Sequence, residues 1–384
     1  MRFARSALVV LLSLAACTTS VAPPETPRVT ESVTASAGPS SPSPSPAPLP
    51  TPVDLPPLVL DADLAARPEG WSEVLFVPFL RDEGAGSSGQ NSPGLGFIPP
   101  DCCGGAAPMS FAIADGSKGS FWIADTVNQR VVRVLATGRI VETISGLSDI
   151  KFSYGFGSAD IVSAPGGLYG ILDASRGVVG WATDDGVESI VHLTGGRHHL
   201  MADWLVGTAD ALHVYTSGSV RTASGYAGFA TVDTRTGVIS PEPGAPVGDG
   251  WIDIDNHDPR FQNDLGDYRA RWYGPGGLEA TQRIRFHLVG EDGRRIPSYA
   301  EVFIESAASG GVGAYVSVVG ENGEGGAHWY LQMPSDPIDA PMFVRLPESD
   351  FESGGLGQRH VLLAEDGHVY LMVIDDDGVR ILRR

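Results

Sequence analysis

The sequence predicts an all-β fold of short antiparallel strands, arranged as repeated hairpins and closed into a ring. Three observations predict it. Apolar residues alternate in short runs broken by polar turns, most clearly in SFWIADTVNQRVVRVLATGRIV, Ser120 to Val141. Weaker copies of that hairpin recur along the chain. A lone strand, Ser72 to Leu80 (SEVLFVPFL), has no hairpin partner near the start of the domain, while the chain ends on three strands that lack a fourth.

The elements follow in chain order. Residues 1–16 open with Arg2 and Arg5 and continue into an apolar run from Ala7 to Leu14, too short to span a bilayer as a permanent helix. Leu14-Ala15-Ala16-Cys17 then resembles the lipobox of bacterial lipoproteins. That resemblance implies cleavage before Cys17, diacylglycerol on its sulfur and an acyl chain such as palmitate on its new amino group. An ordinary secretory signal containing a cysteine is the alternative. Each buried CH₂ contributes about 0.8 kcal/mol, so several acyl chains would hold the protein on a membrane it does not cross.

Residues 17–55 carry Cys17 and then mostly Pro, Ser, Thr and Ala, including SPSPSPAPLPTP from Ser41 to Pro52. Such a stretch lacks the apolar mass to offset the entropy of ordering, and it reads as a disordered tether. Residues 56–384 are long enough, and rich enough in Val, Ile, Leu, Phe and Trp, to bury a sizeable core. Without Arg2 and Arg5 the chain carries 24 basic against 46 acidic residues, a net charge of −22. That balance argues against nucleic acid and against anionic lipid surfaces as electrostatic partners. Contact with a membrane is expected through the lipid anchor alone.

The clearest repeat unit runs P-x-x-F-A-I-A-D-G from Pro108, then F-W-I-A-D-T-x-N-x-R, V-V-R-V and G-R-I-V-E-T-I. Over residues 108–144 it closely resembles one repeat of the NHL family of β-propellers, in which a repeat supplies one four-stranded blade. Degenerate echoes follow at Gly167 to Trp181, continuing through Asp184-Asp185-Gly186 into Val187 to Val191, and at Gly228 to Ile239. The last three strands lie in HVLLAEDGHVYLMVIDDDGVRILRR. Pairing them with Ser72–Leu80 closes the ring and removes its sheet edges. Roughly two dozen strands at four per blade give six blades, with seven as the other count. A two-sheet sandwich fits the length and the even turn spacing less well.

Asp125, Thr126, Asn128 and Arg130 are expected mainly to hold the blade turn, as the resembled family implies, through side-chain bonds to nearby backbone. Cys102 and Cys103 are adjacent. Their Cα atoms, about 3.8 Å apart, lie below the usual disulfide range, so a vicinal disulfide and two free or intermolecularly bonded thiols both stay open. Asp253, Asp255 and Asp258, with Asn256 and His257, form the densest acidic cluster. Calcium favours such sets, but the EF-hand spacing is missing, so a cation site and a solvated loop are both open. The nine histidines show no metalloprotease spacing, and no nucleophile elbow, P-loop or dinucleotide turn occurs. DYRARWYG, Asp267 to Gly274, could stack on sugars or a partner, or bury half its side chains between blades.

The function expected is a non-catalytic binding or scaffolding module, extracytoplasmic and lipid-anchored, holding an envelope protein, peptide or glycan without a cofactor. The competing expectation is a metal-assisted hydrolase, lactonase or lyase with a divalent cation in the central channel.

Overall fold

A computed structural model describes residues 51–80, 93–101, 104–114, 119–144, 147, 150, 159–164, 167–174, 176–195, 198–199, 204–208, 211–222, 225–255, 267–321, 325–349 and 359–384. They form a six-bladed β-propeller. Blade 1 holds strands Ser110–Ala114, Ser120–Asp125, Arg130–Leu135 and Ile140–Ile144, and blade 2 holds Ala159–Ala164, Leu168–Asp173, Val178–Thr183 and Gly186–His192. Blade 3 is Trp204–Gly207, Leu212–Thr222, Gly225–Val232 and Ile239–Glu242. Blade 4 is Ala245–Val247, Gly250–Asp255, Asp267–Gly274 and Gly277–Val289. Blade 5 is Ser298–Ala308, Gly311–Gly320, Gly326–Pro334 and Met342–Arg345. Blade 6 takes Val361–Leu363, Val369–Asp375 and Gly378–Arg383 from the C-terminus, and its outer strand, Ser72–Pro78, from the N-terminal side.

The ring therefore closes where the sequence predicts. Ser72–Pro78 runs antiparallel to the last strand, with Ser72 opposite Arg383 and Pro78 opposite Gly378. Pro78 sits at the end of an edge strand, where its missing N–H breaks no ladder.

A second N-terminal strand reinforces the closure. Val53–Asp63 adds to the outer edge of blade 4, parallel to Gly277–Val289. It begins at Val53, inside the stretch 17–55 read as a tether. Pro56 and Pro57 coincide with a register shift between Leu55 and Leu58, the kind of irregularity an edge strand tolerates. From Leu58 onward the period-two pattern takes over: Leu60 and Ala62 are buried while Val59 and Asp61 face out. Leu64 N–H then donates to Val289 O (2.9 Å), and Arg345 of blade 5 donates through Nη1 to Ala66 O (2.7 Å) and to Leu64 O. Residues 53–78 thus form a belt across the outer edges of blades 4, 5 and 6.

The core is divided among the blade interfaces. Phe121 and Trp122 are neighbours on one strand and point to opposite blades. Phe121 packs edge-on to Tyr370 of blade 6 (5.6 Å between ring centres), and Trp122 packs edge-on to Tyr169 of blade 2 (5.2 Å). With both sheet faces buried, a propeller strand reads as a nearly continuous apolar run, as in FWIA. Burying each such side chain contributes roughly 1.5–3 kcal/mol. Separate apolar clusters fill interfaces 6/1, 1/2, 2/3 and 5/6, whereas one cluster spans blades 3, 4 and 5. Blade 4, with Ala245–Val247 as its inner strand, stands back from the contact between its neighbours. Blades 3 and 5 meet in front of it, with Trp204 edge-on to Phe303 at 6.0 Å.

Candidate functional site

The inner strands converge on a buried ion pair. Arg359, just ahead of the blade 6 inner strand, donates through Nε to Asp160 Oδ1 (3.0 Å) and through Nη2 to Asp160 Oδ2 (2.6 Å). Both side chains are 1% exposed. A bidentate pair taken this far out of water needs hydrogen bonds for its remaining groups. Most of them have one. Asp160 also accepts from Ile161 N–H (2.9 Å), Leu205 N–H (2.7 Å) and the Ser110 hydroxyl. Arg359 donates further to the carbonyls of Leu205 and Glu305, and its own N–H donates to Met109 O (2.9 Å). Glu305 accepts from His360 N–H and Val361 N–H, each at 2.7 Å, and sits 2.9 Å from His360 Nδ1. The His360 ring in turn stacks on Tyr315 at 4.1 Å. One network thus pins the inner strands of blades 1, 2, 3, 5 and 6.

A cavity opens directly beyond it, for a reason written in the strands. Side chains on one face recur every second residue. Two residues beyond Ser110 and Asp160 stand Ala112 and Val162, both short; Glu305 falls at a register shift, past which Ala307 is short as well. The axis is left unfilled there, giving a cavity of about 440 Å³. Arg359 forms part of its lining. Ile113, Val206, Leu362, Leu363 and Tyr370 supply apolar wall, and Ser163, Glu365 and Asp366 form the exposed rim. Burial and the nearby Asp366 carboxylate push the Tyr370 hydroxyl pKa above its ordinary value. Blade 4 contributes no lining residue among those described.

The blade 1 turn is a second buried polar site. Asp125 Oδ2 accepts from Asn128 Nδ2 (2.8 Å) and Arg130 Nε (2.9 Å), while Oδ1 accepts from Gly96 N–H (3.0 Å). Arg130 Nη2 reaches Gly94 O (2.6 Å), and the Thr126 hydroxyl donates to Ala107 O (2.7 Å). These side chains hold their own turn and clamp the 94–96 segment over it. Gln129 lies between them at φ 54°. A Cβ on Gly96 would fall 2.5 Å from Val127 Cβ, so only glycine allows the segment this close.

On blade 4, Asp253 accepts from Arg271 Nη1 (2.9 Å), and Asp255 lies opposite Arg269 on the neighbouring strand. Asp258, Asn256 and His257 lie outside the described residues, as do Cys17, Cys102 and Cys103. Asp267 accepts from Arg285 Nε (2.6 Å) and from Arg283. Burial works to raise its pKa, but those two guanidinium bonds outweigh it and hold the carboxyl below its ordinary value of 3.8. The aromatic residues of DYRARWYG divide by strand parity. Tyr268 and Trp272 are buried against blade 5, donating to Ala300 O (2.8 Å) and Pro334 O (3.0 Å). Among the described residues, no group of three or more His, Cys, Asp or Glu side chains is placed to hold a metal ion.

No protein-family model matches the chain, and no curated protein matches it in sequence. Solved structures do. A chain of Kuenenia stuttgartiensis hydrazine synthase aligns over 70% of this chain and 76% of its own at 10% identity, with a TM-score of 0.40. A Bacteroides fragilis protein designated as exported aligns over 85% and 99% at 9% identity, TM-score 0.40. A Bacteroides vulgatus member of the DUF4221 family aligns over 83% and 97% at 9% identity, TM-score 0.40. Likeness at this level assigns no chemistry.

The axial residues Ser110, Asp160, Glu305 and Arg359 are not among the positions the sequence singled out. The available signal is faint: Ser110 and Asp160 are polar residues at the start of an inner strand, each followed two residues later by a short apolar one, and Glu305 lies late in its strand without that mark.

Proposed function

We propose that the protein is an extracytoplasmic, lipid-anchored binding propeller that holds an envelope protein, peptide or glycan partner by an apolar group seated in the axial cavity. The carrying observation is the cavity itself, whose wall is apolar and whose supporting ion pair is fixed by hydrogen bonds to backbone and side chains of blades 1, 3 and 5, so the site is preorganised. The inner-strand carboxylates Asp160 and Glu305 spend their oxygens on Arg359, Ser110, His360 and backbone N–H groups. That favours binding over a metal-assisted hydrolase, lactonase or lyase at the same axis. The anchor rests on Arg2, Arg5 and the Leu14-Ala15-Ala16-Cys17 sequence.

Elemental analysis of the purified full-length protein, with melting curves with and without chelator, separates the two readings. The binding reading expects no stoichiometric ion and an unchanged Tm. A bound ion whose removal lowers Tm would overturn it in favour of the metal-assisted enzyme. For the anchor, Cys17→Ala should release the protein from membranes; unchanged retention would refute lipidation at this residue.

A further inference from the structure

We infer that the axial cavity selects an apolar group that ends in an organic cation, an ammonium or guanidinium, held at the rim by Glu365. The inference rests on the binding reading above and adds the chemistry of what is bound. A cavity of about 440 Å³ lies within the range of pockets that take whole small ligands or one large side chain. Its wall of Ile113, Val162, Val206, Leu362, Leu363 and Tyr370 offers contact to hydrocarbon or an aromatic ring.

The charges of the lining differ in availability. Arg359 is committed to Asp160 through two bonds and gives two further hydrogens to the carbonyls of Glu305 and Leu205, so its charge is already neutralised by a buried carboxylate. At the rim, Asp366 accepts from His368 N–H (3.0 Å) and lies 3.1 Å from His368 Nδ1. Glu365 is different. Its Oε2 accepts from Ser309 N–H (3.1 Å), which fixes the side chain, and its Oε1 meets no protein donor among the described residues. A fixed, exposed carboxylate beside an apolar chamber complements a cation on an apolar stem. The chain's net charge of −20 attracts the same ligands over longer range.

A free amine and a cationic side chain on a peptide share this chemistry, and the test separates them. Affinities of the full-length protein are measured by calorimetry for 4-phenylbutylamine, 4-phenylbutanol, 4-phenylbutanoate and the blocked peptide acetyl-Phe-Lys-Phe-amide. The amine should bind about tenfold more tightly than the carboxylate, as one charge-assisted contact gives. Glu365→Gln should bring that ratio close to one while leaving the alcohol unchanged, since glutamine keeps an acceptor for Ser309. Ala307→Leu, which fills the chamber, should weaken all four probes. Tighter binding of the peptide assigns a macromolecular source, and tighter binding of the free amine a metabolite; both support the inference. Equal binding of amine and carboxylate, or a preference for amine that survives Glu365→Gln, overturns the cation requirement and leaves the binding reading standing. Binding of no probe to the wild-type protein overturns both.

Discussion

Two buried Arg–Asp pairs stabilise this propeller, and they do so over very different distances along the chain. Arg130 and Asp125 are five residues apart and hold one turn of one blade. Arg359 and Asp160 are 199 residues apart and tie five blades at the axis. Both are removed from water, with side chains no more than 1% exposed. Their chemistry is alike, but the first fixes local geometry and the second fixes the ring and the floor of its cavity. A buried pair is therefore informative about architecture chiefly through what its remaining hydrogen bonds reach.

The largest effect should come from breaking the axial pair. Asp160→Ala leaves the Arg359 guanidinium buried without its counter-charge, and removing one partner of such a pair costs about 3–5 kcal/mol. Urea unfolding should show that loss, with slower-exchanging amides of several blades becoming exposed together. A cost below about 1 kcal/mol would mean that the axial network does not hold the ring. Replacing both partners, Asp160→Leu with Arg359→Met, should recover much of the loss, because no charge is then stranded.

Asp125→Ala also strands a buried guanidinium and should cost about 3 kcal/mol, the lower end of the same range, because Asp125 holds only its own turn and the 94–96 segment whereas Asp160 also holds Leu205 N–H of another blade. The contrast lies in the reach of the damage. Hydrogen exchange should rise in residues 93–98 and in blade 1 and stay unchanged in blades 3 to 5. Protection lost across the whole ring would erase the distinction between the two pairs.

That contrast also explains what was legible in the sequence. The Asp-Thr-x-Asn-x-Arg turn is compact, so its residues stand together in the chain and their joint role shows. The closing strand was legible for a related reason: Ser72–Pro78 and the three C-terminal strands each lack a partner that the other supplies. Asp160 and Arg359 carry no such mark, because their partnership exists only once five inner strands have converged. The start of the Val53–Asp63 strand was hidden because Val53 to Leu55 directly follow the Pro-rich stretch and precede Pro56 and Pro57, which interrupt the alternation yet are tolerated on a sheet edge.

The belt tests a long-range contact that carries no ion pair. Arg345→Ala removes the bonds to the Leu64 and Ala66 carbonyls and should cost about 1–2 kcal/mol. Limited proteolysis should then cut within residues 64–71 at a lower protease concentration than in the wild type. Unaltered cleavage would show that the strands on either side, Val53–Asp63 and Ser72–Pro78, hold the belt without Arg345.

The smallest effect belongs to Asp267, whose partners Arg283 and Arg285 are 35% and 44% exposed. Its carboxyl pKa is lowered by folding, so the unfolded chain binds the proton more readily than the native one. The stabilisation is then fully present above the ordinary value of 3.8 and is lost as pH falls through the native value. Because the guanidinium groups face solvent, it should amount to about 1 kcal/mol and shrink in 1 M salt. The difference in stability between the wild type and Asp267→Asn, measured from pH 7 to pH 2, should narrow below pH 4 and be smaller at high salt. The corresponding difference for Asp160→Ala should barely respond to salt, since ions do not reach the axis. If both differences respond equally, solvent reaches the Arg359–Asp160 pair, and the cavity floor is not the dry, fixed platform that the axial geometry describes.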